Sequence, residues 1–271
     1  MDIKLIVLDI DGTLVNSKKE VSENTLRRLI QLQQQGLKIA LASGRPSEGV
    51  LPYAEQLDLD KYGGYVMGHN GAQIIDVRTR EIVYSRSFPT QYLQEICDCI
   101  KPYRVNISTN EGDTFIAAGN KNRFTTAESE IMKLPLKFVE DFPAYVTFET
   151  SKCILAGEPE DILKLEGIMS EQFKGRFDVY RSEPQYLELV PSGVDKGSSA
   201  QWLLEILGFG ERQWMAFGDS YNDVTMIKYA GIGVAMGNAP EDIKRQADFI
   251  TLTNDEDGVV FALDKFIAPQ V

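Results

Sequence analysis

Short apolar runs that end in polar clusters recur along the chain. The first covers residues 3–8, and similar runs follow at 37–42 and 214–217. Apolar runs of this length without polar alternation are typical of strands buried on both faces, as in parallel sheets. Helical periodicity separates the first two runs, beginning after Ser22, a residue type that commonly caps helices. Strands and helices in alternation predict an α/β fold with a doubly wound parallel, Rossmann-like core sheet.

The alternation changes between residues 86 and 188. The pattern there predicts helices at 90–100 and 159–173, and strands at 105–108, 114–118, 153–156, 177–181 and 186–190. Strands and helices grouped in this way predict a smaller α+β unit inserted into the first one. We therefore expect a core domain formed by residues 1–85 and 189–271, with an inserted domain formed by residues 86–188.

Composition narrows the classes of partner. The chain has 271 residues, with 28 basic against 40 acidic side chains and a formal net charge of −12. An acidic surface repels nucleic acid and anionic membranes, so we exclude both as expected partners. No apolar run approaches the roughly 18 residues of a membrane span. Three cysteines and no signal peptide indicate a reducing, cytoplasmic setting.

Polar residues follow the predicted core strands where each strand ends. Asp9 and Asp11 follow the first strand, Ser43 the second, and Asp219 the strand at 214–217, while Lys196 opens a helix. In open parallel sheets, ligand sites lie outside the carboxyl ends of the strands. Side chains two apart on a strand point the same way, so both N-terminal acids are expected to converge. Each cluster alone is also explained by ordinary turn or helix-start chemistry.

Taken in order, these clusters resemble the four motifs of the haloacid dehalogenase superfamily. The segments are Asp9-Ile10-Asp11-Gly12-Thr13, the Ser43 turn, Val194-Asp195-Lys196-Gly197, and Gly218-Asp219-Ser220-Tyr221-Asn222-Asp223. Asn70-Gly71-Ala72 and the insertion at 86–188 resemble the Cof-type branch, whose inserted domain is called a type IIB cap. The motifs span nearly the whole core, and no Walker A motif or zinc-ligand spacing competes with them.

The resemblance implies a role for each motif residue. Asp9 would be the nucleophile, and Asp11 the general acid and base. The residues expected to bind the phosphoryl group are Thr13, Ser43, Gly44, Arg45, Lys196 and Asn222. The expected Mg²⁺ ligands are Asp9, Asp11 through its main-chain carbonyl, Asp219 and Asp223. For Arg45 a surface role is an equal alternative, and for Asp223 the alternative is a favourable interaction with a helix dipole.

The implied function is a Mg²⁺-dependent phosphatase of small phosphomonoesters, with sugar phosphates as the expected class. Hydrolysis would proceed through an aspartyl-phosphate, and the cap would determine substrate specificity. A phosphomutase that begins from the same intermediate is one alternative. A non-catalytic sugar-phosphate sensor is another, although binding alone has no need of an acid/base at Asp11. His69 is the only histidine, and no G-x-S-x-G segment supports a serine hydrolase.

Overall fold

The computed structural model describes residues 2–119, 121–132 and 134–267. The chain divides into two compact units, one formed by Met1–Ser85 with Val194–Val271 and the other by Arg86–Gly193. We call them the core unit and the inserted unit. The outer limits predicted for the core domain, residues 1 and 271, lie outside the described residues. The inserted unit extends to Gly193 instead of ending at residue 188. The strand Tyr186–Val190, which passes the predicted limit, is paired within the sheet of that unit.

The elements follow one another in an order that interrupts the core once. The core unit begins with β1 (Leu5–Asp9), α1 (Glu23–Gln34), β2 (Lys38–Ala42), α2 (Ser47–Gln56), α3 (Leu59–Tyr62), β3 (Tyr65–Gly68), β4 (Gln73–Asp76) and β5 (Ile82–Ser85). The inserted unit contains α4 (Leu93–Ile100), β6 (Val105–Glu111), β7 (Thr114–Gly119), α5 (Arg123–Met132), β8 (Leu136–Phe138), α6 (Phe142–Tyr145), β9 (Cys153–Gly157), α7 (Pro159–Gln172), β10 (Asp178–Glu183) and β11 (Tyr186–Val190). The core unit resumes with α8 (Lys196–Ile206), β12 (Trp214–Gly218), α9 (Val224–Tyr229), β13 (Ile232–Ala235), α10 (Glu241–Lys244), β14 (Phe249–Ile250) and α11 (Gly258–Phe266).

The core strands form one sheet in the order β14-β13-β12-β1-β2-β3-β4-β5. The strands from β14 to β3 are parallel, which confirms the predicted α/β class. The sheet is nevertheless mixed, because β4 and β5 are antiparallel to their neighbours. The physical reason is the length of the connections: a few residues can join antiparallel neighbours, whereas a parallel pair needs a longer crossover.

Burial on both faces explains the apolar run at the N-terminus. On β1, Leu5 and Val7 pack in one hydrophobic cluster with residues of α8, while Ile6 and Leu8 pack in another with residues of α1. Each of these side chains is fully buried, and burying an aliphatic side chain stabilises a fold by about 1.5–3 kcal/mol. The register aligns Leu8 with the ends of β2 and β12. The polar residues that follow these strands therefore share one edge of the sheet.

The inserted unit has its own sheet, in the order β10-β11-β9-β6-β7-β8. One face packs against α4 and α7 through a hydrophobic cluster that includes Ile96, Leu155 and Leu165. The sequence interpretation did not include α5, β8 or α6. In α5 the side chains that become buried are Thr125 and Ser129, so the helix lacks the apolar stripe from which a buried helix is predicted. Among the described residues, no helix combines the length and apolar character needed to cross a bilayer.

Candidate active site

The turn after β1 places the first motif. The strand ends at Asp9, and the chain then turns back, with the Leu14 N–H donating to the Asp9 carbonyl at 3.2 Å. Gly12 lies in this turn with φ +85°, a conformation that favours glycine. A Cβ atom at Gly12 would lie 2.3 Å from Oδ2 of Asp219. Glycine therefore allows the first and fourth motif segments to approach each other closely.

A buried lysine joins two carboxylates at the centre of the site. Lys196 is fully buried at the start of α8, and its Nζ lies 2.6 Å from Oδ1 of Asp9 and 2.6 Å from Oδ1 of Asp223. Asp195 caps the helix by accepting from the Gly197 and Ser198 N–H groups, which fixes where the lysine emerges. Three residues that lie far apart in the sequence thus form one charged cluster.

The fourth motif forms a compact loop around Asp223. Oδ2 of Asp223 accepts hydrogen bonds from the main-chain N–H groups of Asp219 at 3.0 Å and Ser220 at 2.9 Å. Asp219 is oriented by the Thr13 hydroxyl, which donates to Oδ1 at 2.9 Å. Asn238 donates to the Gly12 carbonyl at 2.9 Å, and its amide nitrogen lies 3.4 Å from Oδ2 of Asp219. Asp223 is fully buried and also contacts Lys196 at 2.6 Å, so a favourable interaction with the helix dipole does not by itself account for its position.

The electrostatics reflect this crowding of buried charges. Burial and the charge of Asp223 raise the pKa of Asp9 above its usual value, although Lys196 acts in the opposite direction. Burial and the charge of Asp223 also raise the pKa of Asp219, to about 6. The pKa of Lys196 is raised because the charges of Asp223 and Asp9 outweigh the effect of burial. The ammonium group of Lys196 is therefore firmly protonated.

Asp11 has different partners from Asp9. Arg45 donates two hydrogen bonds to its carboxylate, at 2.8 and 2.7 Å, and Lys19 donates a third at 2.7 Å. Burial favours a higher pKa for Asp11, but the hydrogen bonds from Arg45 and Lys19 outweigh it, and the pKa is lowered. We expected Asp9 and Asp11 to point the same way because side chains two apart on a strand do so. That reasoning does not apply to Asp11, because β1 ends at Asp9. Arg45 contacts the acid/base candidate here, and phosphate binding by Arg45 stays a prediction.

The other residues predicted to bind phosphate lie in neighbouring loops. Ser43 is buried directly after β2, and its hydroxyl accepts from the Arg45 N–H at 3.2 Å. Gly44 lies between them and approaches the side chain of Asn70. Asn222 donates from its amide nitrogen to Oδ1 of Asn70 at 2.9 Å. Thr13 directs its hydroxyl to Asp219 rather than leaving it for a ligand.

The donor set fits a divalent cation. Asp9, Asp219 and Asp223 each offer a carboxylate oxygen, and these oxygens lie within 4.8 Å of one another. When ionised, the three carboxylates face the single charge of Lys196, so the cluster retains two negative charges. Oxygen donors of this kind suit Mg²⁺ rather than a thiolate- or imidazole-binding metal. The carboxylate of Asp11 is not part of this group, which leaves its main-chain carbonyl as the atom predicted to bind metal.

The sequence interpretation assigned no role in the site to Lys19 or Asn238, and recognised Asn70 only as part of a motif. Each of the three lies in a loop or turn and contacts a predicted site residue. The conformation of a loop cannot be predicted from hydrophobic periodicity. For Asn70 a signal existed, since Asn-Gly marks a turn with left-handed backbone. For Lys19, which has φ +63°, and for Asn238 we find no comparable signal.

Comparison with known proteins agrees with this geometry. Residues 6–263 match the profile of the haloacid dehalogenase-like hydrolases. YxeH of Bacillus subtilis (strain 168) is 31% identical over 97% of this chain and 98% of its own length. The 5-amino-6-(5-phospho-D-ribitylamino)uracil phosphatase YcsE of the same organism is 30% identical over 98% of this chain and 97% of its own length. The crystal structure of a haloacid dehalogenase-like hydrolase from Bacteroides thetaiotaomicron superposes with a TM-score of 0.88 at 40% identity, covering 98% of this chain and all of that chain.

The chain belongs to the haloacid dehalogenase-like hydrolase family, as its motifs predicted. Within that family it is a phosphatase, an enzyme that hydrolyses phosphate esters.

Proposed function

We propose that the protein is a Mg²⁺-dependent phosphatase of small phosphomonoesters that works through a phosphoryl group carried on Asp9. The observation that carries this proposal is the buried Lys196, which contacts Asp9 and Asp223 in a group that also includes Asp219. The ionised carboxylate of Asp9 is the nucleophile, and Lys196 favours this form against the burial and the Asp223 charge that raise the pKa of Asp9. This carboxylate must, however, approach a phosphate of the same charge. At 4 Å this repulsion is about 4 kcal/mol for unit charges at an effective dielectric of 20.

In the first step, a carboxylate oxygen of Asp9 attacks phosphorus, and the bond from phosphorus to the ester oxygen breaks. The proton of Asp11 passes to the leaving alcohol. Arg45 and Lys19 favour the ionised form of Asp11, so this step requires their hydrogen bonds to loosen when the ester binds. The developing negative charge faces Lys196, which supplies a fixed positive charge in a buried setting.

In the second step, water attacks phosphorus and Asp11, now ionised, accepts the proton of that water. The bond from phosphorus to the Asp9 oxygen breaks, which restores the carboxylate and releases inorganic phosphate. The hydrogen bonds from Arg45 and Lys19 suit this state of Asp11. Mg²⁺ held by Asp9, Asp219, Asp223 and the Asp11 carbonyl would supply positive charge that offsets the repulsion between nucleophile and substrate.

Metal dependence gives the experiment that tests the proposed function. Protein treated with EDTA is expected to lose p-nitrophenyl phosphate hydrolysis, and added Mg²⁺ to restore it. Ca²⁺ is expected to restore it poorly, because its larger and looser coordination shell allows a bidentate carboxylate. Steady-state rates with each metal, together with calorimetric titration of Mg²⁺ into wild-type protein and Asp219→Asn, provide the measurement. Full activity in EDTA, or unchanged Mg²⁺ affinity in Asp219→Asn, would show that the metal assignment is wrong.

We further propose that the inserted unit, Arg86–Gly193, selects the leaving group. The core residues described above would contact the phosphoryl group and the metal. The phosphoryl group is common to all phosphomonoesters, so other residues must distinguish one leaving alcohol from another. YcsE is named for a phosphorylated ribityl compound, and phosphorylated sugars or polyols are accordingly the expected class here. A cytoplasmic location is part of the same proposal and is supported by the cysteine content.

Substitutions in the segment 180–185 are expected to change the order of kcat/KM among sugar phosphates. Tyr180 is a poor choice for this test, because its hydroxyl donates to Glu188 at 3.0 Å beside the Lys152–Glu188 ion pair. Glu183→Gln and Pro184→Ala are better choices, since both residues are exposed, at the end of β10 and in the turn after it. Turnover of p-nitrophenyl phosphate should stay within a few-fold of wild type and serves as the control. An unchanged substrate order in both variants, with a changed order in Arg45→Ala, would contradict this role.

A further inference from the structure

The turn after β3 has an unusual backbone. His69, Asn70 and Gly71 have φ values of +52°, +55° and +93°, which places three consecutive residues in the left-handed region. For residues other than glycine this conformation is unfavourable, and asparagine tolerates it better than most. Strained conformations of this kind persist where the surrounding structure fixes them, and they cluster at functional sites.

This turn contacts three of the segments that carry site residues. The Asn70 N–H donates to the Ser43 carbonyl at 2.8 Å, which ties the turn to the loop after β2. Oδ1 of Asn70 accepts from the amide of Asn222 at 2.9 Å, which ties it to the fourth motif. The carbonyl of Gly71 accepts from the hydroxyl of Ser199 at 2.8 Å, one turn of helix after Lys196. The left-handed backbone is what directs these groups to different neighbours.

Asn70 also limits the space beside Gly44. A Cβ atom at Gly44 would lie 3.2 Å from Oδ1 of Asn70, closer than most side-chain contacts. The same oxygen therefore packs against the loop of Ser43 and Gly44 and accepts from Asn222. We infer that Asn70 is a positioning residue that orients the Asn222 amide and the Ser43 loop toward a common phosphoryl group.

The physical advantage is preorganisation. Asn222 is exposed, and an exposed side chain loses rotamer entropy when it binds a ligand. One N–H of its amide donates to Asn70, which leaves the second N–H of the same group for a phosphoryl oxygen. Because Asn70 has already restricted the rotamer, binding costs less, and the donor is in place when the reaction begins. This inference rests on the phosphate-binding role proposed for Asn222.

Asn70→Gly provides the direct test, because glycine accepts the left-handed backbone and removes only the amide side chain. The expected result is a loss of about tenfold in affinity for inorganic phosphate with Mg²⁺ present, measured by equilibrium titration. A similar loss is expected in kcat/KM for p-nitrophenyl phosphate. The midpoint of urea unfolding should stay close to wild type. Asp58→Gly is the matched control: Asp58 also has a left-handed backbone, with φ +54°, and its side chain makes no helix-capping hydrogen bond.

A double-mutant cycle separates positioning from a structural role. Asn222→Ala should cause at least the loss seen in Asn70→Gly, because it removes the phosphate donor as well as the hydrogen bond to Asn70. The double variant should lose little more than Asn222→Ala, since Asn70 acts through Asn222. Additive losses, or phosphate affinity within twofold of wild type in Asn70→Gly, would overturn the inference. The phosphate titration also separates this inference from the proposed function. If the wild type binds phosphate with this dependence on Asn70 but hydrolyses no ester, the positioning role stands and the proposed function fails.

Discussion

Replacing Asp9 by asparagine is expected to lower kcat for phosphate ester hydrolysis by at least about a thousandfold. The amide has nearly the shape of the carboxylate but lacks the anionic oxygen that attacks phosphorus. The fold should tolerate the change, because Lys196 keeps its ion pair with Asp223. Removing one of three crowded carboxylates also relieves part of their mutual repulsion. Steady-state kinetics of the purified variant, with its urea unfolding curve, provide the measurement.

Two controls make the Asp9→Asn result decisive. Asp60→Asn removes an exposed carboxylate at the start of α3 in the same unit and should leave the rate unchanged. A variant that carries Asp9→Asn and Asp219→Asn together sets the background from contaminating phosphatases. If Asp9→Asn hydrolyses substrate within tenfold of wild type and well above that background, Asp9 is not the nucleophile.

Replacing Lys196 by methionine is expected to reduce both stability and activity strongly. Methionine has a similar length, but it leaves the carboxylates of Asp9 and Asp223 buried without their cation. Breaking a buried ion pair by removing one partner typically costs about 3–5 kcal/mol. With EDTA present, so that no metal substitutes for the lost charge, the free energy of unfolding should fall by about this amount. Turnover with Mg²⁺ should fall by at least about a hundredfold, because a charge facing the phosphoryl group is lost.

A second substitution distinguishes the two effects of Lys196. In Lys196→Met/Asp223→Asn one unpaired buried charge is removed, so part of the stability should return while turnover stays low. Lys228→Met, at an exposed position on α9, is the control for loss of a positive charge. Unfolding of Lys196→Met at the same urea concentration as wild type would contradict the electrostatic account of the cluster. So would recovery of turnover in the double variant.

The sequence predicted the core and the segments of the site because both depend on short-range patterns. The apolar run before Asp9 requires a strand covered on both sides, and the register of β1 with β2 and β12 follows from that burial. Once those strands are parallel and adjacent, the residues that follow them must share an edge. The family resemblance then related the polar residues at this edge to a reaction.

The contacts within the site could not be predicted in the same way. The Asn222–Asn70 hydrogen bond joins residues 152 positions apart, and it depends on the left-handed conformation of a turn. The pairing of Arg45 with Asp11 depends on how two loops fold after their strands end. Hydrophobic periodicity carries no information about either loop. In the inserted unit, α5 escaped prediction for a related reason, since it buries hydroxyl side chains instead of an apolar stripe.

Trapping the phosphorylated enzyme tests the central claim most directly. Wild-type protein with Mg²⁺ and an activated phosphate ester is quenched in acid within the first turnovers, digested, and examined by mass spectrometry. The account predicts a phosphoryl group on the peptide that contains Asp9, sensitive to hydroxylamine as an acyl phosphate is, and absent from Asp9→Asn. Asp11→Asn lacks the base of the second step and is expected to accumulate the phosphorylated enzyme. A phosphoryl group on a different residue would contradict the account. So would rapid turnover of the wild type with no phosphorylated enzyme at any quench time, if Asp11→Asn also accumulates none.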